Sequence, residues 1–385
     1  MLQLVSRREW LAAATAAITP RLWNQPVPLG RSDLRVTPLG VGCEEVRDAR
    51  IISRAVERGI NYFHCFKPLN GGDGNLAEVG RWIRPYRDRV VLSTGSAART
   101  AEAFHNDLDA HLRLLGTDTI DLWYLSSRQK PEHLPAEVLE AARSARRAGK
   151  IRAVGVTTHS FTQLQPFLIT IADIIDAAMI TCNFSTWSGP AEILNGYPEG
   201  DQYKPVKQAR SAGLGIVAMK PMLGGLGFVA KERKTWAGRL TPEQRKEALA
   251  AALRWVVANP GVDTAPVCVK SMEELDANIA ALGTAPGQSD RQILAMTLQD
   301  IGPYYCRMCN QCEGTCRRQL PVADMMRYLL YHDGYNDQAR ARAAWHLMPG
   351  RIQAIRCQDC STCTVICPSG VRVQEQITRA QTILA

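Results

Sequence analysis

Residues 120–157 decide the fold. They open with Ile120-Asp-Leu-Trp-Tyr-Leu125, pass through the amphipathic stretch Glu137–Ala148, and return to Ile151-Arg-Ala-Val-Gly-Val-Thr157. The two flanking runs are short, largely apolar and rich in β-branched and aromatic side chains. They read as strands buried on both faces, whereas the stretch between them has helical spacing. Strand, helix, strand in this order is a right-handed crossover between parallel neighbours.

The unit recurs in both directions. Upstream lie the strand-like runs Val36–Gly42, Ile60–Phe63 and Val90–Thr94; downstream lie Ile175–Thr181, Gly215–Met219 and Thr264–Val269. Helical segments alternate with them: Ala49–Arg58, Ala101–Leu115, Tyr203–Ala212 and Ser271–Leu282. Another starts at Thr241-Pro242-Glu243-Gln244, which carries an N-cap, a first-position proline and a capping-box glutamine. Eight units in about 250 residues predict a closed (β/α)8 TIM barrel in the α/β class. An open doubly wound sheet would want a glycine-rich turn after its first strand, and Val41-Gly42-Cys43-Glu44 does not supply one. The expected division is an arm over 1–28, the barrel over 29–290 and a cysteine-bearing domain over 291–385. Gly283–Asp290 is the expected linker.

The 385 residues are 46% hydrophobic and 22% charged, a balance that excludes a disordered or collagen-like chain. No apolar run reaches the ~18 residues of a spanning helix, so no transmembrane span is expected; association with a membrane would run through partners. The net charge of +9 is scattered without blocks of like charge, which argues against nucleic acid as a partner. Residues 6–11 read Ser-Arg-Arg-Glu-Trp-Leu and precede the weakly apolar Ala12–Ile18. This resembles a twin-arginine export signal and predicts a periplasmic or otherwise exported protein; read as a plain basic arm, it would leave the chain cytoplasmic.

Eight of the twelve cysteines form two runs of identical spacing. The first is Cys306-x2-Cys309-x2-Cys312-x3-Cys316; the second is Cys357-x2-Cys360-x2-Cys363-x3-Cys367, followed by Pro368. The duplicated spacing is that of bacterial ferredoxins with two [4Fe–4S] clusters, in which the fourth cysteine of each run ligates the other cluster. A 2[4Fe–4S] ferredoxin-like domain is therefore expected. One cluster falls to Cys306, Cys309, Cys312 and Cys367, and the second to Cys316, Cys357, Cys360 and Cys363. Zinc explains a single Cys-x2-Cys pair but not two four-cysteine runs, and steps of three residues are poor geometry for internal disulfides. Arg317 stands after Cys316 where the pattern has proline. Two oxidised clusters would lower the formal charge to roughly +5.

The barrel resembles the aldo/keto reductase superfamily, and with the cysteine domain the chain resembles its iron–sulfur branch. The resemblance rests on Leu29–Gly42, Gly59-Ile-Asn-Tyr-Phe63, Leu114–Leu122, Gly149–Val156 and Met219-Lys-Pro-Met-Leu-Gly-Gly225. It implies carbonyl reduction by NADPH, with a tyrosine as proton donor, a lysine and an aspartate that tune it, and a histidine that orients the substrate. At those four positions this chain has His64 for the aspartate, Leu69 for the tyrosine, Gly95 for the lysine and Ser126 for the histidine. Four losses together predict that this chemistry is absent, because groups that act as a unit fail as a unit. His64, Cys65, Lys67, Ser126, Ser127, Arg128 and His159 are expected around the same barrel mouth. A structural hydrogen bond is the favoured role for His64.

The nucleotide contacts implied by the resemblance are also eroded. Thr157 and Thr158 replace a serine and an asparagine, Met179 replaces a glutamine, and Asn183 persists. Lys270, Ser271 and Asn278 are the expected remnant of an NADP(H) phosphate site, with Lys220 as a further cation. The expected function is electron transfer within an exported redox complex, with at least one redox partner protein. The alternatives are an oxidoreductase whose non-standard barrel site, with or without NADP, is coupled to the clusters, and a redox-sensing regulatory or assembly protein. Hydride chemistry moves electron pairs and clusters move single electrons, and no flavin motif is present to join them. Trp187 and Trp236 are candidate partner contacts.

Overall fold

A computed structural model of the chain describes residues 22–66, 74–186, 188–196, 203–223 and 241–385. The twin-arginine segment, Lys67, Leu69, Trp187 and Trp236 lie outside the described residues.

A two-strand antiparallel hairpin, β1 (Val27–Pro28) and β2 (Arg35–Val36), precedes the barrel. Eight parallel strands follow: β3 (Leu39–Gly42), β4 (Tyr62–His64), β5 (Val91–Ser96), β6 (Ile120–Leu125), β7 (Ile151–Thr158), β8 (Ala177–Thr181), β9 (Gly215–Met219) and β10 (Ala265–Cys268). They hydrogen-bond in sequence order, with β10 beside β3. A parallel bridge at Val217 and Thr264 joins β9 to β10 and closes the ring. The expected (β/α)8 barrel is therefore present, and β3 is shorter than the run that predicted it because Arg35 and Val36 belong to the hairpin.

The barrel interior explains the hairpin. Leu29, Leu34 and Val36 join Tyr62, Leu122, Tyr124, Ala177, Met179 and Val217 in one buried cluster. The hairpin thus stops the lower end. Gly30 makes the stop possible: its φ is +55°, and a Cβ there would collide with Gly215 N and Gly213 O.

Three carboxylates at strand starts stitch neighbouring strands. Asp121 accepts from Leu92 N, Asp176 from Val154 N and Asp263 from Ile216 N, each at 2.8 Å. Arg87 and Arg152, Arg146, and Arg210 respectively hold these three carboxylates.

The outer layer contains α1 (Ala49–Glu57), α2 (Leu76–Ile83), α3 (Ala101–Leu115), α4 (Ala136–Arg147), α5 (Phe161–Thr170), α6 (Pro190–Asn195), α7 (Lys204–Ser211), α8 (Pro242–Ala258) and α9 (Met272–Ala281). The sequence makes residues 283–290 a linker, but Gly287 caps a further helix, α10 (Gln288–Ile301). Leu294, Leu298 and Ile301 of α10 belong to the barrel's core. Asp290 forms a two-bond ion pair with buried Arg254 of α8, at 2.9 and 2.7 Å. Loss of one partner of such a pair costs about 3–5 kcal/mol.

Beyond residue 301 the described chain is helical and contains no strand: α11 (Val322–Asp333), α12 (Gln338–His346), α13 (Gly350–Gln353) and α14 (Val373–Ile383). The ferredoxin likeness therefore lies in cysteine spacing and not in a β-containing fold. The cause is the apolar periodicity of these helices, which buries Met325, Leu329, Trp345 and Ile377 in a second, separate core. Among the described residues no helix is long and apolar enough to cross a membrane.

Candidate functional site

At the C-terminal ends of the barrel strands, where barrel enzymes place their chemistry, the described residues at the expected catalytic positions are His64, Gly95 and Ser126. His64 ends β4, and its Nδ1 lies 3.0 Å from Ser93 Oγ. Ser93 continues to the Tyr62 hydroxyl at 3.0 Å, and that hydroxyl lies 2.9 Å from Tyr124 Oη. The chain of polar groups satisfies itself inside the barrel. Burial pushes the His64 pKa down to about 4, so the ring is neutral near pH 7. Tyr62 and Tyr124 are driven up by the same cause. Cys65 is fully buried beside Cys43, whose thiol is held well above its ordinary value by its hydrogen bond with Cys65 and by burial.

Ser127, Arg128 and His159 also bond within the fold. The Arg128 guanidinium, fully buried, donates to the carbonyls of His133 and Ala98 at 2.6 and 2.5 Å. Ser127 N donates to Thr157 Oγ1, and His159 pairs with Thr181 Oγ1 at 3.1 Å. Gly95 cannot be other than glycine here, because a Cβ would overlap the Tyr124 carbonyl oxygen and lie 2.7 Å from the Tyr124 Cβ.

The C-terminal region covers part of this mouth, which the sequence did not reveal. Thr181 Oγ1 donates to Met308 Sδ at 3.6 Å, and the Tyr305 hydroxyl reaches Asn183 and Ser185. Arg307 donates to the Ser188 carbonyl and Gln163 to the Cys309 carbonyl. Arg340 pairs with Glu44 at 3.0 Å. The Lys220 ammonium stands 5.8 and 5.9 Å from the ring centres of Tyr331 and Tyr335. Burial, then Arg327 and Arg340, bring the Lys220 pKa down to about 7.

Lys270 and Ser271 come together at the start of α9, with Asn278 further along that helix. Ser271 Oγ accepts from Glu274 N, and Lys270 N donates to a Glu274 carboxylate oxygen at 2.8 Å. A carboxylate of the chain itself thus takes a backbone N–H that a phosphate would need.

The eight clustered cysteines fall into two groups around two cavities. Cys306, Cys309, Cys312 and Cys367 line one; Cys316, Cys357, Cys360 and Cys363 line the other. Each group takes three members from one run and the fourth from the other. None is in a disulfide. The backbone between Cys306 and Cys312 is left-handed at Met308 and Asn310, and Met308 N donates to Cys306 Sγ at 3.4 Å. Such turns aim N–H groups at a concave centre, an arrangement that suits sulfur-ligated anionic groups. Burial drives the Cys306 thiol up to about 12 and Cys312 to about 11, with the neighbouring cysteines adding to the rise. Ionising them together requires a positive centre in the cavity.

Among the described residues no three His, Cys, Asp or Glu side chains converge on a single metal ion. Zinc would draw its thiolates to about 2.3 Å from one point, whereas a four-iron cube takes one thiolate at each iron and spreads them. Four thiols line each cavity with no histidine, a donor set that a four-iron cube takes and that a zinc ion also takes.

With this geometry in place, comparison fixes the family. The sequence pattern of the aldo/keto reductase family matches residues 41–292, and the chain belongs to that family. A curated relative, an uncharacterised oxidoreductase YrpG of Bacillus subtilis, is 27% identical across 71% of this chain and 95% of its own. Aldo-keto reductase AKR11C1 of Bacillus halodurans, solved in its holo form, is similar with a TM-score of 0.56 and 22% identity over 71% of this chain and 96% of its own. PA4992, a putative aldo-keto reductase of Pseudomonas aeruginosa, gives 0.51 and 20% over 70% and 98%. Both structural likenesses concern the fold.

Proposed function

We propose that this member of the aldo/keto reductase family is an exported iron–sulfur electron-transfer protein whose barrel serves as scaffold. Two [4Fe–4S] clusters are held, one by Cys306, Cys309, Cys312 and Cys367, the other by Cys316, Cys357, Cys360 and Cys363. Bound there, such clusters supply one-electron carriers. The single observation that supports the reading most is the exchange of the fourth cysteine between runs, with Cys367 in the first cavity and Cys316 in the second.

The barrel contributes rigidity. Gly95 and Ser126 stand where the family pattern has its lysine and histidine, the Lys220 ammonium faces Tyr331 and Tyr335 of the C-terminal region, and the Tyr305–Met308 segment packs on the end of β8 and the loop after it. Export rests on Arg7, Arg8 and the apolar residues after them; the twin-arginine route carries proteins folded around their cofactors.

Anaerobic purification with iron and sulfide analysis tests the reading, followed by electron paramagnetic resonance of the dithionite-reduced protein. The expected result is about eight irons and eight sulfides per chain, with a reducible signal of cubane type. Zinc or disulfides at these cysteines would overturn it.

A further inference from the structure

The two cysteine groups are not equivalent in what surrounds them. The loop that carries Cys306 and Cys309 is tied to the barrel: Gln163 donates to the Cys309 carbonyl at 2.9 Å and Arg307 to the Ser188 carbonyl at 3.3 Å. Among the described residues, the loops that carry the second group bond within the C-terminal region. Arg317 N donates to Thr364 Oγ1 at 3.2 Å, Thr364 Oγ1 to the Thr315 carbonyl at 2.9 Å, and Cys357 N to Gln381 at 2.9 Å.

The outer side of these loops is bare and basic. Arg317 and Arg318 are exposed, Arg356 is half-buried, and all three line the second cavity. None forms an ion pair among the described residues, whereas Arg327, Arg340, Arg372 and Arg379 each have a carboxylate partner. Two exposed carboxylates stand nearby, Asp359 in the second loop and Glu313 three residues before Cys316, the latter accepting from Ala323 N. Between Cys363 and Cys367 stands Ile366, 83% exposed, the barest large apolar side chain among the described residues. Ile366 stands two residues after Thr364, which accepts from Arg317 N, and Arg356 donates to the Gln353 carbonyl; an exposed apolar side chain on a loop bonded to an arginine-bearing one has the anatomy of a transient interface that charge steers.

Resting on the proposed function, we infer that the face formed by Arg317, Arg318, Arg356 and Ile366 docks an acidic one-electron-transfer protein, and that the Cys316, Cys357, Cys360, Cys363 group is the one such a partner reaches. The partner presents carboxylates to the arginines and an apolar spot to Ile366. Arginines without a carboxylate partner among the described residues, Arg317 and Arg318 both exposed, select that occupant over a second copy of this chain, which would bring the same positive charges.

Stopped-flow reduction of the anaerobic holoprotein by reduced flavodoxin, an acidic one-electron donor, tests the inference. The comparison is between the wild type, Arg317→Glu/Arg318→Glu and Ile366→Ser. Expected are a wild-type rate that falls steeply with salt and a loss of about tenfold or more in the charge reversal, with weaker salt dependence. Ile366→Ser should slow reduction while keeping the salt dependence. Full iron content and unchanged final reduction by dithionite show that the variants are intact. Rates insensitive to salt and to all three substitutions, with full iron, overturn the docking surface and leave the proposed function standing. So does a wild type that flavodoxin does not reduce. Self-association, or binding to vesicles of anionic phospholipid, that the charge reversal abolishes assigns the face to another occupant and overturns it as well. A preparation lacking iron and sulfide overturns the proposed function, and this inference with it.

Discussion

Gly95 and Tyr124 are partners in the β5–β6 register, and they meet so closely that a Cβ on Gly95 would lie 2.7 Å from the Tyr124 Cβ and overlap its carbonyl oxygen. The position that carries the tuning lysine in the family resemblance is therefore closed to any side chain. The Tyr124 ring also packs on Gly155, so it has no room to withdraw. The packing of the strands thus leaves room for glycine alone at this position.

Gly95→Ala should destabilise the protein by about 2–3 kcal/mol, because overpacking a rigid core is not relieved by a side-chain shift. Thermal unfolding followed by circular dichroism reads this as a drop of several degrees. Gly95→Lys should be at least as damaging and should gain no NADPH-dependent carbonyl reduction. A melting temperature equal to the wild type in the alanine variant would contradict the contact.

NADPH should bind weakly. The Glu274 carboxylate occupies a backbone N–H at the start of α9, and Tyr305–Met308 packs on the mouth at the end of β8. Titration calorimetry on the anaerobic protein should give a Kd no tighter than about 1 mM, near −4 kcal/mol. A micromolar Kd would show that the nucleotide site survives.

Acid should weaken the fold through His64. Its folded pKa is depressed to about 4, against an unfolded value near 6.5. The unfolded chain therefore binds a proton that the folded chain refuses. The stability is fully present above about pH 6.5 and is lost as pH falls toward about 4. At pH 5 the loss is about 2 kcal/mol relative to pH 7.5. His159 is shifted in the same direction by burial, then by Lys220 and Arg327, so it contributes to wild type and variant alike. Urea unfolding of His64→Gln, whose amide still reaches Ser93, should show a correspondingly smaller decline between pH 7.5 and 5. Equal declines in both proteins would remove His64 from the account.

The sequence carried the barrel because its signal is local: an apolar run such as Ile120–Leu125 followed by the amphipathic Glu137–Ala148 is legible without knowledge of any partner. The cysteine grouping was legible for a similar reason, as spacing alone placed Cys367 apart from Cys363. Long-range devices were not. Nothing in the periodicity of residues 303–310 says that Tyr305 and Met308 rest on Asn183 and Thr181. Gly287 reads as linker because a glycine N-cap and a flexible joint share a composition; the buried Arg254–Asp290 pair distinguishes them, and its members are 36 residues apart. One missed feature left a trace: Ile120-Asp121, Ile175-Asp176 and Val262-Asp263 each put an aspartate after an apolar residue at the start of a strand, where it stitches the neighbouring strand.

Iron content of paired cysteine variants tests the central claim most directly. Cys309→Ala/Cys367→Ala removes two ligands from one group, whereas Cys309→Ala/Cys316→Ala removes one from each. The account predicts that the first variant retains about half of the wild-type iron, with one reducible signal left, and that the second loses nearly all of it. The opposite order, or equal retention in both, would contradict the exchange of cysteines between the two runs.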